Sequence, residues 1–411
     1  MLRALLRSPS LRAGAAMGLG GLCFTVGGLI FARVLPTWEY GLVSLVLGIV
    51  SVAGNTAPLG LDQVVGRHGI RLNGRWRRAS LGASAATALA TALIGGLVYH
   101  LAPALIASVA VITLTLGMTQ SVAAHFQGQR QFGIAVWVLQ LMNGAILVIA
   151  LVAAAVDLDT ATGVCGLMAL AVLLAAIVVW WLQRREGVTA RAQPSPWAMR
   201  GEALSLATMQ AAGSIFLQLE RLLVGPLVGL HDLAVFGVLA ALVSSPFRLL
   251  QCAVQFTLIP RLRVAEDVRA RRTLVWREGA MMAVPLVMGS AAIWFLAPLL
   301  AHWLLAGRYD LSAALITVML ISGWLKLLNA FLTSVIVGCG EERRLGWLSV
   351  VCWVTLGIST AGAFAGAPWG FVGVLYGIAM GWLARCLLTL WLALGYLNES
   401  RPYLRITPQP K

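Results

Sequence analysis

Long apolar runs, broken by short arginine clusters and by Gly/Pro pairs, repeat along the whole chain. A helix needs about 20 mostly apolar residues to cross a bilayer core. Cutting at charges and at Gly/Pro breaks predicts helices near 12–33, 40–63, 79–100, 103–126, 132–156, 160–182, 203–225, 233–260, 279–301, 311–338, 346–365 and 370–396. The third and fourth separate at His100–Pro103, and the eleventh and twelfth at Gly366–Trp369. The first run, Ala13 to Ala32, is longer than a signal-peptide core and ends without a cleavage-site pattern. It reads as a transmembrane helix.

The charge pattern supports this division. With the N-terminus inside, the inner loops and tails carry 24 of the 30 Lys and Arg, and the outer loops hold only Arg33 and Arg308. That bias is the positive-inside rule, which one misplaced span would have scrambled downstream. Composition agrees: 60% of residues are apolar and 11% charged, too little charge to cover a soluble surface at roughly 25%. The expectation is an all-α polytopic membrane protein with 12 transmembrane helices in two six-helix lobes and both termini cytoplasmic. The net charge of +15 sits in short clusters between spans, so it reads as a topology signal, with no nucleic-acid partner. The six cysteines lie in or beside apolar runs without metal-ligand spacing, so neither a disulfide framework nor a metal site is expected.

A polar stretch, Gln183 to Arg200, falls between the sixth and seventh spans. It divides the chain into an N-terminal lobe (1–190), a cytoplasmic linker (191–200) and a C-terminal lobe with a short tail (201–411). The lobes look duplicated. A shift of 196 residues superposes Tyr40-Gly41 on Phe236-Gly237 and Arg67 on Arg263, each arginine opening a basic inner loop. Duplicated helical halves suit a transporter that rocks one half against the other.

No phosphate-binding loop, HExxH or GxSxG occurs, so neither an ATP-driven pump nor a hydrolase is indicated, and no cofactor or catalytic residue is assigned. Asp157 and Asp159 sit in an outer turn and read as solvated. The informative residues are charges inside spans, which cost a few kcal/mol each at mid-membrane. Arg248 and Lys326 lie near the middle of the eighth and tenth spans, Arg221 in the outer half of the seventh, and Arg385 in the twelfth. Snorkelling to a headgroup suits Arg385 and is an option for Arg221, but poorly explains Arg248 and Lys326. These four are the candidate anion-binding residues, lining a central cavity. Glu220 and Asp62 are the acids available for charge balance or ion coupling.

The run from Ala32 to Val43, continuing from Leu59 to Arg67, resembles the first helical hairpin of the Wzx-type O-antigen flippases, in the polysaccharide-transporter group. That group shares a superfamily with MATE drug exporters and the lipid II flippase. Glu220 to Gly229, Leu233 to Gly237 and Leu258 to Leu262 are similar to its seventh and eighth helices, and Ala306 to Asp310 with Trp324 to Lys326 to its ninth and tenth. The resemblance implies a non-enzymatic, ion-gradient-driven carrier in the bacterial cytoplasmic (inner) membrane, serving O-antigen and lipopolysaccharide assembly. Its cargo would be undecaprenyl-diphosphate-linked oligosaccharide, and its partners the bilayer and a polysaccharide polymerase or glycosyltransferases. It departs from the lipid II branch, whose key arginines gather in the N-terminal half: here the first helix is uncharged between Arg12 and Arg33. A MATE-type drug or cation antiporter and a membrane-embedded polysaccharide enzyme are the alternatives.

Overall fold

The computed structural model describes residues 9–185, 193–264, 268–339 and 342–398, and all of its regular elements are helical. Arg3, Arg7, Arg191 and the tail cations Arg401, Arg405 and Lys411, counted above as cytoplasmic, lie outside the described residues. The first half comprises α1 (Pro9–Val34), α2 (Thr37–Thr56), α3 (Leu61–His68), α4 (Gly74–Leu97), α5 (Pro103–Gly128), α6 (Phe132–Leu139), α7 (Leu141–Ala155) and α8 (Ala161–Arg185). The second comprises α9 (Arg200–Val228), α10 (Leu230–Leu239), a π-helical segment (Ala240–Ser244), α11 (Ser245–Val264), α12 (Val268–Leu304), α13 (Ala313–Cys339), α14 (Glu342–Gly366) and α15 (Gly370–Asn398).

Among the described residues, ten stretches are long and apolar enough to cross a membrane, and the α6–α7 pair, bent by 42°, makes up to eleven. One of the ten, Gly346–Gly395, contains α14 and α15, which fold back on each other at Ala367–Trp369. Gly362 opposes Gly377 and Gly366 opposes Gly373, so a side chain at any of these positions would meet the facing backbone. Such small-residue seams let helices approach closely in lipid, where burial of apolar surface drives little association.

Three predicted elements are corrected. The span predicted at 40–63 ends at Thr56, because Pro58 cannot continue the helix and Leu59 and Gly60 take left-handed φ of 49° and 77°. The span predicted at 132–156 is broken at Gln140. The inner loop from Arg261 to Arg277 is largely helical, since α12 already begins at Val268.

The two halves repeat one another in packing. Within the first, α1 packs on α7, α2 on α5, α4 on α5, α5 on α8 and α7 on α8. The corresponding pairs in the second are α9 on α14, α11 on α13, α12 on α13, α13 on α15 and α14 on α15. Between the halves α2 packs on α9, and its counterpart is α1 on α11. The architecture is two similar helical lobes.

The buried apolar core shows how the lobes meet. At the end carrying the outer turns, one continuous cluster joins Phe31, Tyr40, Leu101 and Ala161 of the first lobe to Leu233, Phe236, Tyr309 and Phe371 of the second. There the Tyr309 hydroxyl donates to the Ala32 carbonyl at 3.2 Å, and Arg308 Nη1 to the Arg33 carbonyl at 2.8 Å. At the arginine-rich inner end the core divides. One cluster, around Val64, Trp76 and Phe126, belongs to the first lobe apart from Ala203 on α9. Another, around Leu258, Phe331 and Val335, belongs to the second. The lobes share one core at the end with the short turns and have largely distinct clusters at the arginine-rich end.

The inner contact that remains depends on Gly60. Its φ of 77° is left-handed, and a Cβ there would collide with the Ala203 carbonyl across the lobe boundary. Gly60→Ala is expected to destabilise the protein by about 1–3 kcal/mol, read as a lowered Tm in detergent. Gly82→Ala, in open space on α4, is expected to be neutral or slightly stabilising.

Candidate functional site

Helix geometry splits the Glu220–Arg221 dipeptide. Consecutive residues on an α-helix point roughly 100° apart, so α9 presents the two charges to different neighbours. Glu220, 2% exposed, turns into its own lobe and forms an ion pair with Lys326 of α13. Ser322, one turn before Lys326, donates to the same carboxylate oxygen at 3.4 Å. Residues four apart share a helix face, which is why α13 can bring both to one acid.

The rest of this group is aromatic and cationic. Trp382 of α15 lies 5.5 Å below the Lys326 ammonium and meets Phe216 edge-on, with centroids 4.2 Å apart. The Arg385 guanidinium sits 4.9 Å from the Phe216 ring and 5.3 Å from Trp382. Arg385 is 9% exposed and its Nε has no partner, so it is an interior residue and does not reach a headgroup by snorkelling. Lys326, Glu220 and Arg385 therefore form one group inside the second lobe.

Arg221 turns the other way, into the junction between the lobes. Its side-chain stem passes Gly48 of α2, where a Cβ would lie 2.9 Å from Arg221 Cβ, so the glycine makes the passage possible. Arg221 Nη1 donates to Gln218 Oε1 at 3.2 Å, and Nε is buried without a partner. Its guanidinium stands 5.2 Å from the Phe24 ring of α1. Arg248 of α11, an exposed residue, stands 5.9 Å from the same ring. Two guanidiniums from the second lobe thus face one aromatic ring of the first.

The π-helical segment positions Arg248. Pro246 has no N–H to donate to the preceding turn, and the helix widens at Ala240–Ser244, just before it. Ser245 Oγ donates to the Ala240 carbonyl at 3.3 Å and lies 2.7 Å from Thr25 Oγ1 of α1. The widened turn is tied to the first lobe one helical turn before Arg248. Such π-bulges are frequent at functional sites.

Arg248 and Lys326, expected to line one cavity, have different neighbours: Arg248 stands with Arg221 against Phe24, and Lys326 pairs with Glu220 beside Trp382. Asp62 belongs to neither set. It is buried on α3, and its Oδ1 has no partner. Phe24, Gln218, Ser322 and Trp382 were not anticipated. Uncharged residues in apolar runs read as packing, and only the interlobe geometry gives them charged neighbours. No metal-holding group of His, Cys, Asp and Glu occurs among the described residues.

Neither a family model nor a curated protein sequence matches the chain. Solved structures do. An inward-facing multidrug resistance MATE family transporter of the MOP superfamily superposes with TM-score 0.66 at 13% identity, covering 92% of this chain and 94% of that one. The outward-facing conformation of a transporter so described gives 0.58 at 13% identity, over 96% and 97%. A MOP superfamily transporter from Pyrococcus furiosus, described as having a binding pocket of reverse polarity that suggests a different function, gives 0.57 at 14% identity, over 96% and 97%. At such identities it is the architecture that is shared: this chain has the two-lobed helical fold of the MATE family transporters.

Proposed function

We propose that this protein is a flippase that carries undecaprenyl-diphosphate-linked oligosaccharide from the cytoplasmic to the outer leaflet by alternating access, coupled to an ion gradient. In this reading the chain has twelve spans with both ends cytoplasmic in a bacterial inner membrane. The carrying observation is the Arg221–Arg248 pair facing Phe24 at the lobe junction. Two guanidiniums gathered at one ring favour an anionic ligand, because each phosphate oxygen attracts both. A diphosphate offers several acceptor oxygens, and guanidinium forks bind phosphate in a bidentate manner.

The shared outer core and divided inner core suit the inward-facing stage, in which a headgroup enters from the cytoplasm. Closing the inner gap and parting the Arg308 and Tyr309 clasp would expose the site to the other side.

The fold itself favours a second reading, a multidrug exporter. Against it, Glu220, in the outer half of α9, is already engaged by Lys326, while Arg221 and Arg248 would repel a cationic drug. A flippase-null strain expressing this protein together with the matching glycan pathway separates the two. Restored surface polysaccharide supports the flippase. Resistance to cationic drugs without surface polysaccharide supports the exporter.

A further inference from the structure

We propose that four side-chain amides at the inner contact between the lobes, those of Asn55, Gln63, Gln120 and Gln210, form a contact site for the uncharged sugar units of the carried lipid. This rests on the flippase reading and narrows it by placing the glycan. The amides form a ladder. Gln120 Nε2 donates to Asn55 Oδ1 at 3.0 Å, Gln210 Nε2 to the Asn55 carbonyl at 2.6 Å, and Gln63 Nε2 to Gln210 Oε1 at 3.0 Å. The ladder runs from α5 through α2 and α3 of the first lobe to α9 of the second.

Depth and exposure point to water at this surface. Asn55 and Gln63 are exposed, and Gln120 and Gln210 are half-buried. Gln120 lies eight residues from Gly128, the inner end of α5, and Gln210 ten from Arg200, the inner end of α9. At about 1.5 Å per residue these are depths of roughly 12 and 15 Å. Facing lipid there, the donors and acceptors that the ladder does not use would go unsatisfied, at a cost of about 1–3 kcal/mol each. The amides lie instead where α2, α3 and α5 of the first lobe meet α9 of the second.

Each amide offers two donors and an acceptor with two lone pairs, and the ladder leaves much of that capacity unused, with Asn55 and Gln63 exposed. Sugar hydroxyls both donate and accept, so they can replace ladder bonds one for one. None of the four residues carries charge, so the ladder does not compete with Arg221 and Arg248 for the diphosphate. Gln210 and Arg221 lie eleven residues apart on α9, about 16 Å along its axis. A lipid-linked oligosaccharide can reach both, with its diphosphate at the arginines and its sugars on the amides. Because Gln210 joins the second lobe to the first, sugars that take its hydrogen bonds also loosen the inner contact between lobes.

The test uses the purified full-length protein in proteoliposomes with two synthetic probes. One is polyprenyl diphosphate bearing a single hexose, and the other is the same lipid bearing an uncharged pentasaccharide. Transfer between leaflets is read by accessibility of the sugar to a membrane-impermeant oxidant. Gln63→Leu/Gln210→Leu and Gln120→Leu are compared with wild type after thermal melts confirm folding. Gln210→Ser, which places no apolar group at this contact, serves if the leucine variants do not accumulate. The pentasaccharide lipid is expected to move about tenfold more slowly in the variants, and the single-sugar lipid less than about twofold more slowly. Equal slowing of both lipids would show that the ladder only joins the lobes. Unslowed transfer of both would remove it from the glycan path, and either result overturns this assignment while leaving the flippase intact. Wild-type protein that moves neither lipid overturns the flippase and the glycan site together.

Discussion

Lys326→Gln is expected to destabilise the protein by about 3–5 kcal/mol, because it leaves the Glu220 carboxylate buried without its counter-ion. The double variant Glu220→Gln/Lys326→Gln removes both charges and should recover most of that stability, since two neutral amides can hydrogen-bond where one isolated carboxylate cannot. Lys326→Arg keeps the charge and should stay closest to wild type, with a small destabilisation because the planar guanidinium must fit above Trp382. Thermal melts of purified protein in detergent give the order. If Lys326→Gln is as stable as the double variant, the ion pair is not what holds α9 to α13. The pair also changes what a transport defect at Lys326 means: failed transport by Lys326→Ala has to be separated from failure of the lobe to fold.

The second large effect is expected at the lobe junction. Removing one charge-assisted hydrogen bond to a bound diphosphate should weaken its binding by about 1.5–3 kcal/mol, roughly ten- to a hundredfold. Arg221→Ala/Arg248→Ala should therefore abolish transfer of polyprenyl-diphosphate lipids in proteoliposomes. Arg248 is exposed, so Arg248→Ala should leave the Tm near that of wild type. Arg248→Lys should recover only part of the activity, because the ammonium lacks the paired donors of the guanidinium. Raising the salt concentration should weaken the contribution of the exposed Arg248 to headgroup binding more than that of the buried Arg221, because exposed charges are screened more strongly. Full transfer by the double alanine variant would show that the two cations have a structural role, and the anion site would have to be placed elsewhere.

The alternation of apolar runs with arginine clusters was enough to establish a helical membrane protein, since lipid forces every spanning backbone to satisfy its own hydrogen bonds. The Tyr40-Gly41 and Phe236-Gly237 repeat likewise anticipated the duplicated packing of the two lobes. The mid-span charges were legible for the same reason: an ionised group in an apolar run is costly enough to mark a site. Partnership was not legible. Glu220 and Arg221 are neighbours in the chain, yet one faces α13 and the other faces α1 and α2. Scanning the spans for charge also passed over Asn55, Gln120 and Gln210, whose amides cost less than ions to bury and so stand out less.

By itself, then, the sequence determined the helical class, the duplicated halves and the set of interior charges. These follow from local hydropathy and from the energy of placing single groups in lipid, and both are properties of short segments. The tertiary structure decided the breaks at Gly60 and Gln140, the approach of Arg221 and Arg248 to Phe24 and the engagement of Lys326 by Glu220. It also decided that the large shared core lies at the end carrying the short turns, while the arginine-rich end holds two distinct clusters. Those outcomes depend on which helix faces meet, and a helix face acquires its neighbour only when segments far apart in the chain pack together.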